Sequence, residues 1–150
     1  MSRRPRAAHP LRMRSFAVLI PLSLLAAPAA AQPAVGPLVR PIAVIEATLT
    51  GQPISPPSGP VRVTVSETTI APGERLPPHK HPYPRIVQVL SGRLKVTHLD
   101  TGTVSEPAPG DWLVDSVDQW HEGVVVGDEP VRLLTIDQAP PGAAVTVPRP

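Results

Sequence analysis

The sequence contains no cysteine among its 150 residues. Disulfide bonds, thiolate catalysis and lipid attachment through a cysteine are therefore excluded. An oxidising compartment would add no covalent cross-link to the fold. Any metal ion would have to be bound by nitrogen and oxygen atoms, because no thiolate is available.

Aromatic side chains and helix-compatible runs are also scarce. Aromatic residues make up 3% of the chain, whereas 23 positions are proline. A proline inside a helix removes a backbone donor and clashes with the preceding turn, so long helices are not expected. No segment shows a helical spacing of apolar residues. This composition is typical of a β protein with many turns.

Acidic residues are missing before position 15, where five of the 14 basic residues lie. The apolar run 16–27 follows, and the small residues 29–31 provide a cleavage site. This arrangement predicts a secretory signal peptide over residues 1–31. The apolar run is too short for a spanning helix, so a retained membrane anchor is the weaker interpretation.

The chain beyond the signal has a different charge balance. Residues from Gln32 onward carry nine basic and all 12 acidic side chains, so the overall net charge of +2 reflects the leader. Nucleic-acid binding is therefore not expected. We expect a periplasmic or secreted mature chain with no membrane anchor after cleavage. Translation starts at Met1 or at Met13, because the residues from Met13 onward already form a complete signal.

Short β-branched segments alternate with turn residues in the rest of the chain, as in an antiparallel sandwich or barrel. Residues 32–60 are predicted to contain an N-terminal strand and a proline-rich loop, residues 61–138 a β-barrel, and residues 139–150 a flexible tail. The predicted strands cover residues 42–49, 61–70, 85–90, 94–99, 111–114, 122–126 and 131–137.

Alternating polarity within these strands indicates which side chains face the interior. In residues 61–66 each valine is followed by a polar residue, so one face of the strand is apolar. Leu94, Val96 and His98 share one face in the same way. If the two aliphatic residues point into the barrel, His98 does too.

Three histidines are candidates for a shared site. His79 and His81 are two residues apart, so in an extended strand their side chains face the same side and can bind one ion. Such a pair alone is weak evidence, because two exposed histidines in a proline-rich loop need no functional explanation. His121 is a third candidate, on a separate predicted hairpin.

The segment around the histidine pair resembles the first sequence motif of the cupin superfamily, G-x5-H-x-H-x3-E-x6-G. Gly73, His79, His81 and Gly92 occupy the corresponding positions. The glutamate of the motif, which is a metal ligand in the family, is replaced here by Arg85. A guanidinium group has no lone pair to donate, so Arg85 cannot replace it as a ligand.

The second motif, G-x5-P-x-G-x2-H-x3-N, is matched at Gly110 and His121. The spacer between the motifs, residues 93–109, has the short length found in small cupins. The resemblance implies an all-β fold, the cupin double-stranded β-helix or jelly-roll barrel, over residues 61–138. It also implies a homodimer formed by edge strands, for which residues 124–126 are a candidate.

The resemblance further implies a metal site. We expect His79, His81 and His121 to bind a divalent metal ion such as Fe, Mn, Zn or Ni, with water completing the coordination. A metal-free site with a weakened ligand set is the alternative. His98 is a further candidate, either as a fourth ligand, as a partner of the ligands or as a solvated strand-end residue.

Substrate binding is predicted for Arg85, Tyr83 and Trp120. Arg85 offers a forked donor suited to a carboxylate or enolate. Trp120 either forms a wall of the pocket or packs the end of the barrel. A second interpretation gives Arg85 a salt bridge at the barrel mouth with Glu74, Asp111 or Asp115.

These features predict a metal-dependent enzyme of the dioxygenase or isomerase type, acting on a small anionic metabolite. The alternative is a non-catalytic cupin module that binds a small molecule, since a shared barrel does not establish catalysis. Catalytic residues are not assigned. Asp115 and Glu122 are possible proton carriers, although acidic residues near turns are commonly solvated.

Overall fold

The computed structural model describes residues 36–150, and this part of the chain contains nine strands. The predicted signal peptide lies outside these residues. Within them there is no helix that is long and apolar enough to cross a membrane. The strands are β1 (Arg62–Ile70), β2 (Arg75–Lys80), β3 (Arg85–Ser91), β4 (Leu94–His98), β5 (Val104–Ser105), β6 (Trp112–Val114), β7 (His121–Val125), β8 (Val131–Ala139) and β9 (Val147–Pro148).

The strands form two sheets with antiparallel pairing. One sheet has the order β1-β8-β3-β6 and the other has the order β5-β4-β7-β2-β9. Strands that are distant in sequence lie side by side in both sheets, because the chain crosses repeatedly from one sheet to the other. The all-β class predicted from the sequence is therefore confirmed.

The hydrophobic core consists of the side chains that alternate towards the interior. In β8, buried residues alternate with more exposed ones along the whole strand. Val89 and Val131 are 0% exposed, and Leu94 and Leu133 belong to the same cluster. Each fully buried aliphatic side chain stabilises the folded state by roughly 1.5 to 3 kcal/mol relative to an exposed one. The alternation predicted for Leu94, Val96 and His98 is confirmed, since all three are buried.

The N-terminal segment departs from the sequence prediction. Residues 42–49 form no strand, and their region contains one isolated bridge between Ala47 and Pro53. Ile42 and Val44 remain 75% and 80% exposed. β-branched residues favour extended backbone, but a strand also needs a neighbouring strand to complete its hydrogen bonds.

Strand β2 was missed because of its two prolines, Pro77 and Pro78. Proline cannot donate to a ladder and is tolerated in a sheet mainly at bulges and edges. The pairing of β2 with β7 shifts register between Leu76 and His79, so the prolines lie at an irregularity. β9 pairs with the same strand, although its residues belong to the predicted flexible tail.

The edge strand proposed for dimer formation is also corrected. Residues 124–126 overlap β7, which lies between β4 and β2 and so has no free edge there. β1 is the outer strand of the other sheet, and eight of its nine residues are exposed. Val63 and Val65 are 59% and 62% exposed, so the apolar face of β1 is not covered by the described residues.

Candidate metal centre

Three imidazoles meet where β2 and β7 pair. His79 lies directly opposite His121 in the register, and their ring centroids are 4.4 Å apart. His81 follows the end of β2 and forms an isolated bridge with Val117. Its ring centroid is 5.0 Å from that of His79 and 5.0 Å from that of His121. One ligand atom from each ring lies within 4.8 Å of the other two, so the predicted meeting of the three rings occurs.

Each of these rings is oriented by a main-chain carbonyl. In every case Nδ1 lies at hydrogen-bond distance from a carbonyl oxygen, which can only accept. Nδ1 must therefore carry the hydrogen, and the lone pair of the neutral ring is on Nε2. The bonds join His79 to Pro77 O at 2.7 Å, His81 to Val145 O at 2.9 Å and His121 to Gln119 O at 3.0 Å.

Burial keeps these rings neutral. His81 is 1% exposed and His121 is 4% exposed, while His79 is partly buried. Desolvation lowers the pKa of all three imidazoles, and for His81 burial together with the charge of Arg85 lowers the pKa to about 3. Metal ions bind the neutral imidazole. Three oriented neutral nitrogen donors fit a divalent ion with a preference for nitrogen ligands.

Arg85 forms a buried ion pair, but not with any of the three acidic residues considered from the sequence. Its Nε donates to Asp137 Oδ1 at 2.7 Å and its Nη2 donates to Asp137 Oδ2 at 3.2 Å. The two residues are directly opposite in the pairing of β3 with β8. The forked edge of the guanidinium is thus occupied. Nη1 lies 3.4 Å from Nε2 of His81, and Arg85 lines the adjoining cavity.

Asp115 brings a carboxylate to the same place. Its Oδ2 lies 3.5 Å from Nε2 of His81, and its side chain is 13% exposed. Burial raises the pKa of Asp115 to about 6, although the charge of Arg85 acts in the opposite direction. The sequence had indicated Asp115 only as a proton carrier or as a salt-bridge partner of Arg85. Its position beside the imidazoles depends on strand pairing that no local pattern reveals.

A cavity of about 320 Å³ lies between the sheets next to these residues. Its polar lining includes the three imidazoles, Arg85 and Asp115, while most other lining residues are aliphatic or proline. Glu122 also lines the cavity and forms an ion pair with Arg75 at 3.5 Å. The cavity therefore has one polar end and mostly apolar walls, a combination typical of small-molecule sites.

Tyr83 and Trp120, the other predicted substrate-binding residues, do not line this cavity. Successive residues of an extended segment face opposite sides, so Trp120 points away from the side taken by His121. The indole ring lies 5.3 Å from the ammonium of Lys80 and 5.7 Å from the guanidinium of Arg149. Cation–π contacts of this kind place Trp120 in a packing role at the end of the sheet.

His98 lies next to the cluster but outside it. It is directly opposite His121 in the pairing of β4 with β7, with ring centroids 5.4 Å apart. Its side chain is 0% exposed, and neither ring nitrogen has a hydrogen-bond partner among the described residues. Burial lowers its pKa. The ring is not one of the three whose ligand atoms converge.

Residues 66–137 match the sequence model of the cupin domain family. This part of the chain is a cupin domain. The match covers β2, β7 and all three histidines, so the resemblance inferred from the two motifs is confirmed. The two antiparallel sheets are accordingly those of the double-stranded β-helix, which confirms the predicted fold. No curated protein matches the chain.

Several solved structures are similar to this cupin domain. The DMSP lyase DddQ from Ruegeria pomeroyi is 19% identical, with 57% of this chain and 42% of that chain covered and a TM-score of 0.49. A conserved protein with a double-stranded β-helix domain from Klebsiella pneumoniae is 21% identical, with coverages of 65% and 91% and a TM-score of 0.48.

The polyketide cyclase RemF from Streptomyces resistomycificus is 26% identical over 58% of this chain and 63% of that chain, with a TM-score of 0.47. This chain therefore spans less than two thirds of the length of the lyase and of the cyclase.

Proposed function

We propose that this cupin domain binds a divalent metal ion through Nε2 of His79, His81 and His121. We further propose that it is an enzyme of the dioxygenase or isomerase type acting on a small anionic metabolite. The observation that carries the proposal is the shared orientation of the three rings, whose Nδ1 atoms are all engaged by main-chain carbonyls. Such bonds to the second nitrogen are the usual companions of metal-binding histidines.

The surrounding residues would bind and orient the substrate. The apolar walls of the cavity accommodate an apolar body and exclude water from the polar end. Nη1 of Arg85 faces the imidazoles, while Asp137 holds the guanidinium in place through its other edge. A bound divalent ion would supply a Lewis acid with open positions for an anionic group. Arg85 Nη1 would then donate to that same anionic group.

A non-catalytic small-molecule-binding module is the second candidate. It is favoured by the distance of 3.4 Å between Arg85 Nη1 and His81 Nε2, at which a cationic donor reaches the lone pair that a metal would use. In this case the guanidinium of Arg85 would bind a small carboxylate without an ion. The apolar cavity would serve either function.

Metal content distinguishes the two candidates. The purified full chain is loaded with Mn²⁺, freed of excess ion by gel filtration and measured by elemental analysis. The first candidate requires about one ion per chain, and loss of that ion in His121→Ala. Lys95→Ala is the control, because Lys95 is exposed on β4. A wild-type chain that holds no metal but binds benzoate in calorimetry would instead support the second candidate.

Export and self-association complete the proposal. The basic leader, apolar run and small-residue cleavage site support a periplasmic or secreted protein that begins at Gln32. N-terminal sequencing of the protein from the periplasmic fraction tests this. The homodimer also stays a prediction, and the exposed edge of β1 is the surface that suits it. A monomer across micromolar concentrations in light scattering would contradict it.

A further inference from the structure

The ligand set of this cupin domain lacks a negative charge at one expected position. The first motif of the family places a glutamate where this chain has Arg85. Arg85 cannot ligate, and its guanidinium is instead paired with Asp137. Three neutral imidazoles alone would leave a bound divalent ion with its full charge. A different carboxylate, that of Asp115, lies beside the same imidazoles.

The distance from Asp115 to His81 suits a shared ion. Its Oδ2 is 3.5 Å from Nε2 of His81. Two ligand atoms that each lie about 2.1 Å from one ion are roughly 3.0 to 3.4 Å apart, depending on the coordination geometry. A shift of a few tenths of an ångström would therefore bring Asp115 and His81 into one coordination shell. Asp115 is not a member of the set of ligand atoms that lie within 4.8 Å of one another, so it would move further to share the ion with all three rings. Asp115 also lines the cavity together with the three imidazoles.

Strand pairing explains how the carboxylate arrives there. Ile86 of β3 is paired with Val114 of β6, and the amide of Asp115 donates to the carbonyl of Arg85 at 2.9 Å. Asp115 is thus the neighbour, on the adjacent strand, of the position that carries the glutamate in the family motif. A carboxylate that immediately follows β6 therefore lies beside the position at which β3 carries Arg85.

The carboxylate of Asp115 has no hydrogen-bond donor among the described residues. Its neighbour at 3.5 Å is the neutral imidazole of His81, and the charge of Arg85 acts on it without a hydrogen bond. Arg85, the cationic residue opposite Asp115 across the pairing of β3 with β6, donates two hydrogen bonds to Asp137. Burying a carboxylate without a partner is costly, and a bound cation removes that cost.

We propose that Asp115 is the carboxylate ligand of the metal ion that His79, His81 and His121 hold. This role rests on the proposed metal binding. The full coordination set would then be three neutral nitrogens and one carboxylate oxygen. The carboxylate offsets one unit of the ion's charge and leaves a net attraction for an anionic substrate.

Titration calorimetry with Mn²⁺ on the full chain tests the role. Asp115→Asn keeps the shape of the side chain and removes its charge, so the Mn²⁺ affinity should fall by roughly 10- to 100-fold. Asp128→Asn is the matched control, since Asp128 is exposed in the turn between β7 and β8. The Mn²⁺ affinity of this variant should stay within about twofold of wild type. The absorption spectrum of the Co²⁺-loaded protein should change in Asp115→Asn and not in Asp128→Asn.

The outcomes separate this role from metal binding itself. A wild-type chain without Mn²⁺ affinity would overturn both proposals. Metal binding that is lost in His121→Ala but is unchanged in Asp115→Asn, with an unchanged Co²⁺ spectrum, would overturn the role of Asp115 alone. If Asp115→Asn fails to fold, as judged by its circular dichroism, Asp115→Glu replaces it. This variant keeps a carboxylate at a longer reach, so its Co²⁺ spectrum must differ from that of wild type.

Discussion

Replacement of His98 by leucine should stabilise the metal-free protein. The side chain of His98 is 0% exposed, and both ring nitrogens lack hydrogen-bond partners among the described residues. A buried polar group without a partner costs about 1 to 3 kcal/mol. Leucine has a similar volume and no polar atom, and an imperfect fit of its shape costs up to about 1.5 kcal/mol. With that cost subtracted, we expect a net gain of about 1 kcal/mol, and at most about 3 kcal/mol, in the free energy of unfolding.

The pH dependence gives this prediction a second signature. Burial lowers the pKa of His98 in the folded state, so below about pH 6.5 the unfolded chain takes up a proton more readily than the native protein. His98 therefore contributes an additional loss of stability as the pH falls from 6.5. Leucine removes that loss, so the advantage of His98→Leu should be larger at pH 5 than at pH 7.5.

Urea denaturation at pH 7.5 and pH 5 measures both effects. The control is Thr97→Leu, because Thr97 is the next residue of β4 and faces the opposite, more exposed side. It should show no comparable gain at either pH. A His98→Leu variant that is less stable than wild type at both pH values would refute the reasoning. That result would mean that the imidazole of His98 has a favourable partner in solution.

Three further predictions concern the strands that build the site. Asp137→Asn should destabilise the protein by about 3 to 5 kcal/mol in urea denaturation, because it leaves the largely buried guanidinium of Arg85 without its counter-charge; a loss below about 1 kcal/mol would contradict a buried pair. Gly92→Ala should lower the melting temperature far more than Gly102→Ala. Both glycines have positive φ, but an added Cβ at Gly92 would lie 2.6 Å from the carbonyl oxygen of Pro130, whereas one at Gly102 meets nothing within 4 Å. Equal losses in the two variants would remove the steric explanation. Mn²⁺ binding should persist to a lower pH than exposed histidines allow, since burial lowers the pKa of all three clustered imidazoles and protons compete only below those values. Equilibrium dialysis measures this pH dependence. Loss of the ion already at pH 6.5 would count against these rings as ligands.

The sequence alone was sufficient to predict the fold class and to predict that three imidazoles lie close together. Alternating polarity and dense turn residues indicate strands because a strand has a side-chain period of two. The same period places His79 and His81 on one side, and the two cupin motifs connect them with His121. These are local signals, each contained within a short stretch of chain. They identify the residues of a site without placing any other strand beside them.

Local signals were misleading where the environment decides the structure. Pro77 and Pro78 made β2 look like a loop, yet a register shift in its pairing with β7 accommodates them. Residues 42–49 have the composition of a strand but no ladder of partners. Whether a segment becomes a strand therefore depends on a neighbour that can complete its hydrogen bonds.

The partners within the site were decided by tertiary structure. Asp137 reaches Arg85 across 52 residues of sequence because β8 pairs with β3, and Asp115 reaches the imidazoles because it follows the strand on the other side of β3. Periodicity in the sequence determines which face of a strand a side chain occupies. It does not determine which strand lies next to it or in what register, because those depend on the packing of the whole chain. The clustering of the histidines could therefore be predicted from the sequence, whereas the positions of the charged residues around them are determined by how the strands pair.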